Sequence, residues 1–96
     1  MFLLLTYDVD TTTAAGAKRL RQVSKLCERY GMRVQNSVFE LLLDSAQLVK
    51  LKAQLQDTVD QGRDSIRIYR LGNSYSGKIE TIGRAPTVEA GRELFF

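Results

Sequence analysis

The residues that most constrain the fold are the first nine, Met1–Val9, with the sequence MFLLLTYDV. Residues 2–9 form a short apolar run of β-prone side chains, which predicts a buried strand. One carboxylate, Asp8, stands near the end of this run, and Asp10 follows it closely. Charged groups that face a crevice at the carboxyl end of a buried strand are where open α/β sheets often place their chemistry. We therefore take Asp8 as the candidate catalytic residue.

Asp8 also has a purely structural interpretation, because an Asp near a strand end commonly caps the next helix or starts a turn. Here, however, Thr13 can cap the helix, and Asp10 with residues 11–13 can form the turn. Asp8 itself lies within the apolar run, where we expect it to be buried. A buried charge is unfavourable unless it is paired or binds a metal. From the residues alone, both interpretations stand.

The amino-acid composition limits the chemistry that this chain can perform. Its 96 residues, enough for one domain, include no histidine and one cysteine. Zinc sites and Ser-His or Cys-His catalysis are therefore excluded. Any catalysis has to use carboxylates, Tyr, Lys, Arg or Ser, and we expect a hard metal ion that prefers oxygen ligands to assist them.

Nothing in the sequence predicts export or membrane insertion. Met1 leads directly into the first strand, without the charged segment and cleavage site of a signal peptide. No apolar stretch approaches the ~18 residues needed to span a bilayer. Because Cys27 cannot form an internal disulfide, we expect a reduced thiol in a cytoplasmic protein that does not bind a membrane.

Residues 14–30 are predicted to form the first helix, which Gly31 ends as a C′ glycine. Apolar residues at helical spacing mark the buried face of this helix: Leu20, Val23, Cys27 and Tyr30. Four cations, which we call the basic stripe, fall on the opposite face: Lys18, Arg21, Lys25 and Arg29. Arg19 lies to one flank of the stripe.

The basic stripe has two interpretations. A charged helix face is commonly no more than a solvated surface. In this helix, however, four cations align without an acidic partner four residues away among them, so they repel one another. Such repulsion favours a polyanionic ligand, although the net charge of +3 is weak support by itself. The basic stripe is therefore a candidate nucleic-acid-binding surface.

Four further segments complete the main secondary structure. They are a strand at 33–36, a strand at 38–43, a helix at 44–61 and a strand at 64–71. Asp44 is predicted to open the second helix in a capping box with Gln47, and Gly62 to stop it. Residues 77–83 are predicted to form a short fifth strand.

The predicted order is β-α-β-β-α-β with an extra strand, which is an α+β, ferredoxin-like arrangement with an antiparallel sheet and two helices on one face. Because the first strand is apolar on both sides, we expect a second copy of the chain to cover the other face and form a homodimer. The fifth strand would then add to the partner's sheet edge. We assign residues 1–83 to one domain and residues 84–96 to a C-terminal tail that docks on the partner subunit.

Several of these segments together resemble one protein family. The chain is similar to the small CRISPR-associated adaptation nucleases in four segments: Tyr7–Val9, the basic helix, the run RVQNSVFE at 33–40, and Tyr69–Gly72. Members of that family are the second of the two core proteins of spacer acquisition. The resemblance covers the chain from Phe2 to about Ile82.

The resemblance implies a ferredoxin-like homodimer in which Asp8 of each protomer binds a shared divalent metal, usually Mg²⁺. Tyr7 and Arg19 match positions near that site, and we place Asp10 beside them as a supporting carboxylate. Members of the family are described as metal-dependent endonucleases of RNA or double-stranded DNA. They are also described as non-catalytic subunits that bridge two dimers of the larger CRISPR integrase.

Three functions follow as hypotheses. The first is a Mg²⁺-dependent endonuclease that uses Asp8, and the second is a DNA-binding scaffold of the spacer-integration complex. The third, an RNA-recognition module, is disfavoured because neither central strand carries a Gly-Phe-Gly-Phe-like aromatic run. A regulatory domain that binds an acidic effector is a further alternative.

Overall fold

The computed structural model describes residues 1–73 and 77–83. Within them, the chain forms two helices and four strands. These are β1 (Phe2–Asp8), α1 (Ala14–Glu28), β2 (Gly31–Gln35), β3 (Val38–Leu42), α2 (Ser45–Thr58) and β4 (Ser65–Gly72). The strands form one antiparallel sheet in the order β2-β3-β1-β4. The predicted ferredoxin-like arrangement is confirmed.

Strand β1 lies at the centre of the sheet, and its alternating side chains define two different faces. Leu3, Leu5 and Tyr7 are buried against the helices. The intervening residues, from Phe2 through Thr6, are half-buried on the opposite face, which we call the open face. Because side chains alternate along a strand, Asp8 continues the series on the open face.

The hydrophobic core lies between the sheet and the two helices. β3 and the helices contribute seven buried side chains to it: Phe39, Leu41, Val23, Cys27, Leu48, Leu51 and Leu55. The predicted apolar face of the first helix is confirmed, since Leu20 and Tyr30 pack against this cluster as half-buried residues beside the buried Val23 and Cys27. Val59, just after α2, packs against the same cluster. Both predicted N-caps are also confirmed. Thr13 accepts a hydrogen bond from the Gly16 amide, and Asp44 forms a capping box with Gln47.

Two predictions about where the helices end are wrong. Helix α1 stops at Glu28, and Gly31 does not adopt a positive φ but begins β2. A Cβ at Gly31 would collide with the carbonyl oxygen of Glu40 on the neighbouring strand, so close strand packing explains this glycine. Helix α2 stops at Thr58 because Val59 takes an extended conformation, before Gly62 is reached.

The predicted fifth strand is also wrong for the single chain. Residues 77–83 form no strand, and positive-φ backbone at Gly77 and Gly83 breaks the extended conformation at both ends of this segment. This segment instead lies over the open face. It lines a groove of about 400 Å³ there, together with Val34, Gln35 and Glu40. The predicted tail, residues 84–96, lies outside the described residues.

Candidate functional site

Asp8 ends β1 on the open face, directly opposite Ser65 at the start of β4. Its side chain is exposed, so the expectation that Asp8 is buried is wrong for a single chain. The helices pack on the other side of the sheet and therefore do not cover it. Among residues 1–73 and 77–83, the Asp8 carboxylate has no hydrogen-bond or ion-pair partner. Asp8 is thus an exposed carboxylate at the end of a strand that is paired on both sides.

Tyr7 supports this backbone from the opposite side of the sheet. Its ring is buried, and its hydroxyl donates to the carbonyl oxygen of Asn36 at 3.0 Å. The same hydroxyl lies 2.9 Å from Oγ of Ser24 on α1. The Tyr7 amide also donates to the Ser37 carbonyl oxygen at 3.0 Å. Tyr7 thus anchors the end of β1 to α1 and to the β2–β3 turn, but it does not share a face with Asp8.

Asp10 lies in the loop after β1, where its carboxylate stabilises the turn. Its Oδ1 accepts from the Thr12 hydroxyl at 2.7 Å and from the Thr12 amide at 3.0 Å. These hydrogen bonds, the hydroxyl one above all, lower the pKa of Asp10 below its ordinary value of 3.8. The Asp10 carboxylate is therefore engaged locally and is not free beside Asp8.

Arg19 is engaged by an acidic residue that the sequence analysis did not assign to the site. Its Nε donates to Asp64 Oδ2 at 2.8 Å, and its Nη2 donates to Oδ1 at 3.3 Å. The Asp64 side chain is 0% exposed and the Arg19 side chain 16%. The Arg19 hydrogen bond, above all, lowers the pKa of Asp64 to about 2, and the same contact raises the pKa of Arg19. Arg19 therefore supports the site through Asp64.

Asp64 also holds two backbone segments. Its Oδ1 accepts from the Asp10 amide at 3.1 Å, and its Oδ2 accepts from the Asp60 amide at 2.9 Å. Arg63 lies nearby, with Nη1 3.8 Å from Asp10 Oδ2. The loop before β4 is thereby joined to the loop after β1.

Sequence reasoning missed Asp60, Arg63 and Asp64, although one signal could have revealed them. In the predicted topology, the first and last strands of the sheet are antiparallel neighbours. The end of β1 and the start of β4 must then meet at the same edge of the sheet. The cluster of charged residues just before β4 is consequently brought beside Asp8 and Asp10.

The basic stripe is exposed along its whole length, as predicted. In the part of the chain that the structure describes, none of its four cations forms an ion pair. The acidic residue of α1, Glu28, instead pairs with Arg33 of β2 at 3.2 Å. Three exposed cations on α1 and Arg29 at its C-cap therefore lack an ion-pair partner among the described residues and can contact a polyanion.

A metal site in one chain would need more ligands than Asp8 alone provides. Among the described residues, no group of three or more His, Cys, Asp or Glu side chains is placed to hold a metal ion. Mg²⁺, however, keeps several waters and is commonly bound by only one or two carboxylates. One exposed carboxylate per chain is therefore compatible in chemistry with Mg²⁺, provided that water or a second molecule supplies the other ligands.

The fold and the site together define a small ferredoxin-like protein with a free carboxylate at the end of its first strand and a cationic first helix. Residues 1–79 match the family described as CRISPR associated protein Cas2. The chain belongs to this family, and the resemblance inferred from the sequence is confirmed. No helix within the described residues is both long and apolar enough to cross a membrane.

Individual relatives agree with this assignment. The chain is 52% identical over 96 residues to the CRISPR-associated endonuclease Cas2 of Halalkalibacterium halodurans, which covers 100% of both proteins. It is 47% identical over 87 residues to the CRISPR-associated endoribonuclease Cas2 3 of Rhodospirillum rubrum, covering 91% of this chain and 92% of that protein. The crystal structure of Streptococcus pyogenes Cas2 at pH 6.5 superposes with a TM-score of 0.78 at 52% identity, covering 86% of this chain and 100% of that one.

Proposed function

We propose that this protein is a Mg²⁺-dependent endonuclease of RNA or double-stranded DNA that acts in CRISPR spacer acquisition, in the cytoplasm, with the larger CRISPR integrase. The observation that carries the proposal is the free carboxylate of Asp8 at the anchored end of β1. The names of the relatives, which include an endonuclease and an endoribonuclease, support the same reaction.

The chemistry depends on two copies of Asp8 and on the residues that hold them. When bound, Mg²⁺ would polarise the phosphodiester and lower the pKa of a bound water. Asp8 would hold the ion, while Tyr7 and the Arg19–Asp64 pair keep the end of β1 in place. The basic stripe would bind the phosphate backbone of the substrate.

A second candidate function is a non-catalytic DNA-binding scaffold that bridges integrase dimers. It is favoured by the engagement of Asp10 with Thr12, which leaves no free carboxylate beside Asp8 in the chain's described part to serve as a general base. Cleavage assays on RNA and double-stranded DNA, with and without Mg²⁺, test the first function. A pull-down with the larger integrase tests the scaffold function, and binding without cleavage would favour it.

The shared metal site requires a homodimer formed through the open face. Apolar side chains remain partly exposed on this face. They include Leu4, which is half-buried, and its neighbour on β4, Tyr69, which is 41% exposed. We expect sedimentation to show a dimer at micromolar concentration, and we expect Leu4→Lys to shift it toward monomer. Val49→Lys, a matched change on the exposed surface of α2, should leave the dimer intact. A monomeric wild-type protein would contradict the proposed site.

The basic stripe is expected to bind phosphates without reading bases. Each phosphate contact contributes ~0.9 to the slope of log affinity against log salt on duplex DNA. Arg21→Ala with Lys25→Ala should therefore flatten the slope by roughly 1.8 and weaken binding evenly across sequences. The control is Lys50→Ala with Lys52→Ala, which removes the same charge from α2. An equal loss in both double variants would mean that net charge, and not the stripe, determines binding.

A further inference from the structure

We propose that Asp64 is a positioning residue for Asp8, because its buried carboxylate fixes the backbone that follows Asp8 and so directs the free carboxylate toward a divalent cation. This inference rests on the proposed function, in which Asp8 is the metal ligand. Asp64 itself is not proposed as a ligand, since its side chain is 0% exposed, whereas Asp8 is exposed.

The hydrogen bonds of Asp64 place it between the two loops that meet at the site. Both carboxylate oxygens accept from Arg19, one accepts from the Asp10 amide and the other from the Asp60 amide. The Asp10 amide lies only two residues beyond Asp8. Because Asp8 pairs with Ser65, the residue after Asp64, the same corner of the sheet is held from both strands.

Helix α1 clamps the Asp10 backbone from its other side. Gly16 lies so close to the Asp10 carbonyl oxygen that a Cβ at this position would collide with it. The Asp10 peptide is therefore held by Asp64 through its amide and confined by Gly16 near its carbonyl. With Tyr7 anchored to α1 and to the β2–β3 turn, the backbone is fixed on both sides of Asp8.

We call these contacts of Asp64, Gly16 and Tyr7 with the backbone around Asp8 the clamp. A clamp of this kind is important for metal affinity when a site has few protein ligands. A single carboxylate from each copy can share an ion only if both are held in the right direction, because no neighbouring ligand corrects a misplaced one. Residues that orient metal ligands typically change metal affinity by 10–100-fold when they are replaced. Asp64 accepts four hydrogen bonds, so its own position is well fixed and it can hold the backbone beside Asp8.

The test measures Mg²⁺ affinity of the full chain by following backbone amide signals during a MgCl₂ titration. Asp64→Asn is expected to weaken the Kd for Mg²⁺ at least ~10-fold. Arg19→Gln should weaken it similarly, while Arg19→Lys should recover part of the loss because the ammonium keeps a donor toward Asp64. Leu48→Val is the control, since it perturbs the core on α2 without touching this corner of the sheet.

The outcomes separate the inference from the proposed function. If Asp8→Asn loses Mg²⁺ binding but Asp64→Asn keeps the wild-type Kd, Asp8 remains the ligand and the positioning role is overturned. The same holds if Asp64→Asn lowers only the melting temperature, as Leu48→Val does. If Asp8→Asn binds Mg²⁺ as tightly as wild type, the proposed function and the inference both fail. A loss of affinity in both aspartate variants, with the control unaffected, supports the inference.

Discussion

Replacing Asp8 with asparagine is expected to abolish any Mg²⁺-dependent cleavage while leaving the fold and integrase binding intact. Asparagine keeps the shape of the side chain but removes the charge that would hold the metal. Because Asp8 is exposed and its carboxylate makes no hydrogen bond or ion pair with the chain's described residues, the change breaks no side-chain polar contact among them. Cleavage of RNA and double-stranded DNA, measured with and without Mg²⁺, gives the result.

Melting temperatures provide a second measurement on the same variant. If two copies of Asp8 face each other, they repel in metal-free buffer, so Asp8→Asn should melt at a higher temperature there. Mg²⁺ should stabilise the wild type by about 2.7 kcal/mol at 100 times its Kd, and it should not stabilise the variant. Asp57→Asn, which removes an equal charge from an exposed position on α2, should behave as wild type in every assay.

A variant that cleaves as fast as wild type would show that Asp8 is not catalytic, and the activity would then need another source. A wild-type protein that never cleaves, but still binds the integrase, would favour the scaffold function. Either result can be obtained with the same two proteins.

The local features of the fold could be predicted from the sequence because each depends on a short-range pattern. The strand over Phe2–Asp8 and the capping box at Asp44 are encoded within a few residues. The helix ends are less predictable, since glycine does not always mark where a helix stops. Gly31 is required by the approach of Glu40 from a strand nine residues away, which a local pattern does not reveal.

The candidate site was only partly predictable, for a related reason. Asp8 stands out as a candidate from its place at the end of an apolar run. Its exposure follows from the tertiary structure, because the helices cover the other side of the sheet. Asp64 was missed because its importance depends on contacts with Arg19 and Asp10, which are 45 and 54 residues away in the sequence. Predicting such contacts requires knowledge of the strand order, which shows which loops meet. It also requires the side-chain positions, which show which charged residues in those loops pair.

The Arg19–Asp64 pair should also give the protein a specific sensitivity to acid. The folded-state pKa of Asp64 is lowered to about 2, against an ordinary value of 3.8 that we take for the unfolded chain. As the pH falls, the unfolded state therefore binds this proton first. The stabilisation from ionised Asp64 is complete above the unfolded value and is lost as the pH falls through 3.8 toward 2.

Asp64→Asn removes this contribution and shows its size. Hydrogen bonds to a charged group contribute about 1.5–3 kcal/mol, so at about pH 5 the variant should be less stable than wild type by roughly 2 kcal/mol. Most of this difference in stability should be lost at about pH 2. At that pH, Asp64 of the wild type is almost fully protonated in the unfolded state and partly protonated in the folded state. Urea unfolding of both proteins across this range measures the difference directly.

Comparison of two proteins that differ at one residue removes the other groups that titrate in the same range. Asp10, whose pKa is also lowered, and Glu40, whose pKa is raised by burial, are present in both proteins. Asp57→Asn serves again as the control, since an exposed carboxylate on α2 should change stability little at any pH. A constant difference between wild type and Asp64→Asn from pH 5 to pH 2 would contradict an ionised, Arg19-bound Asp64 and with it the electrostatic basis of the clamp. A difference that disappears in acid would establish that the charge of Asp64, and not only its shape, joins the loop after β1 to the start of β4.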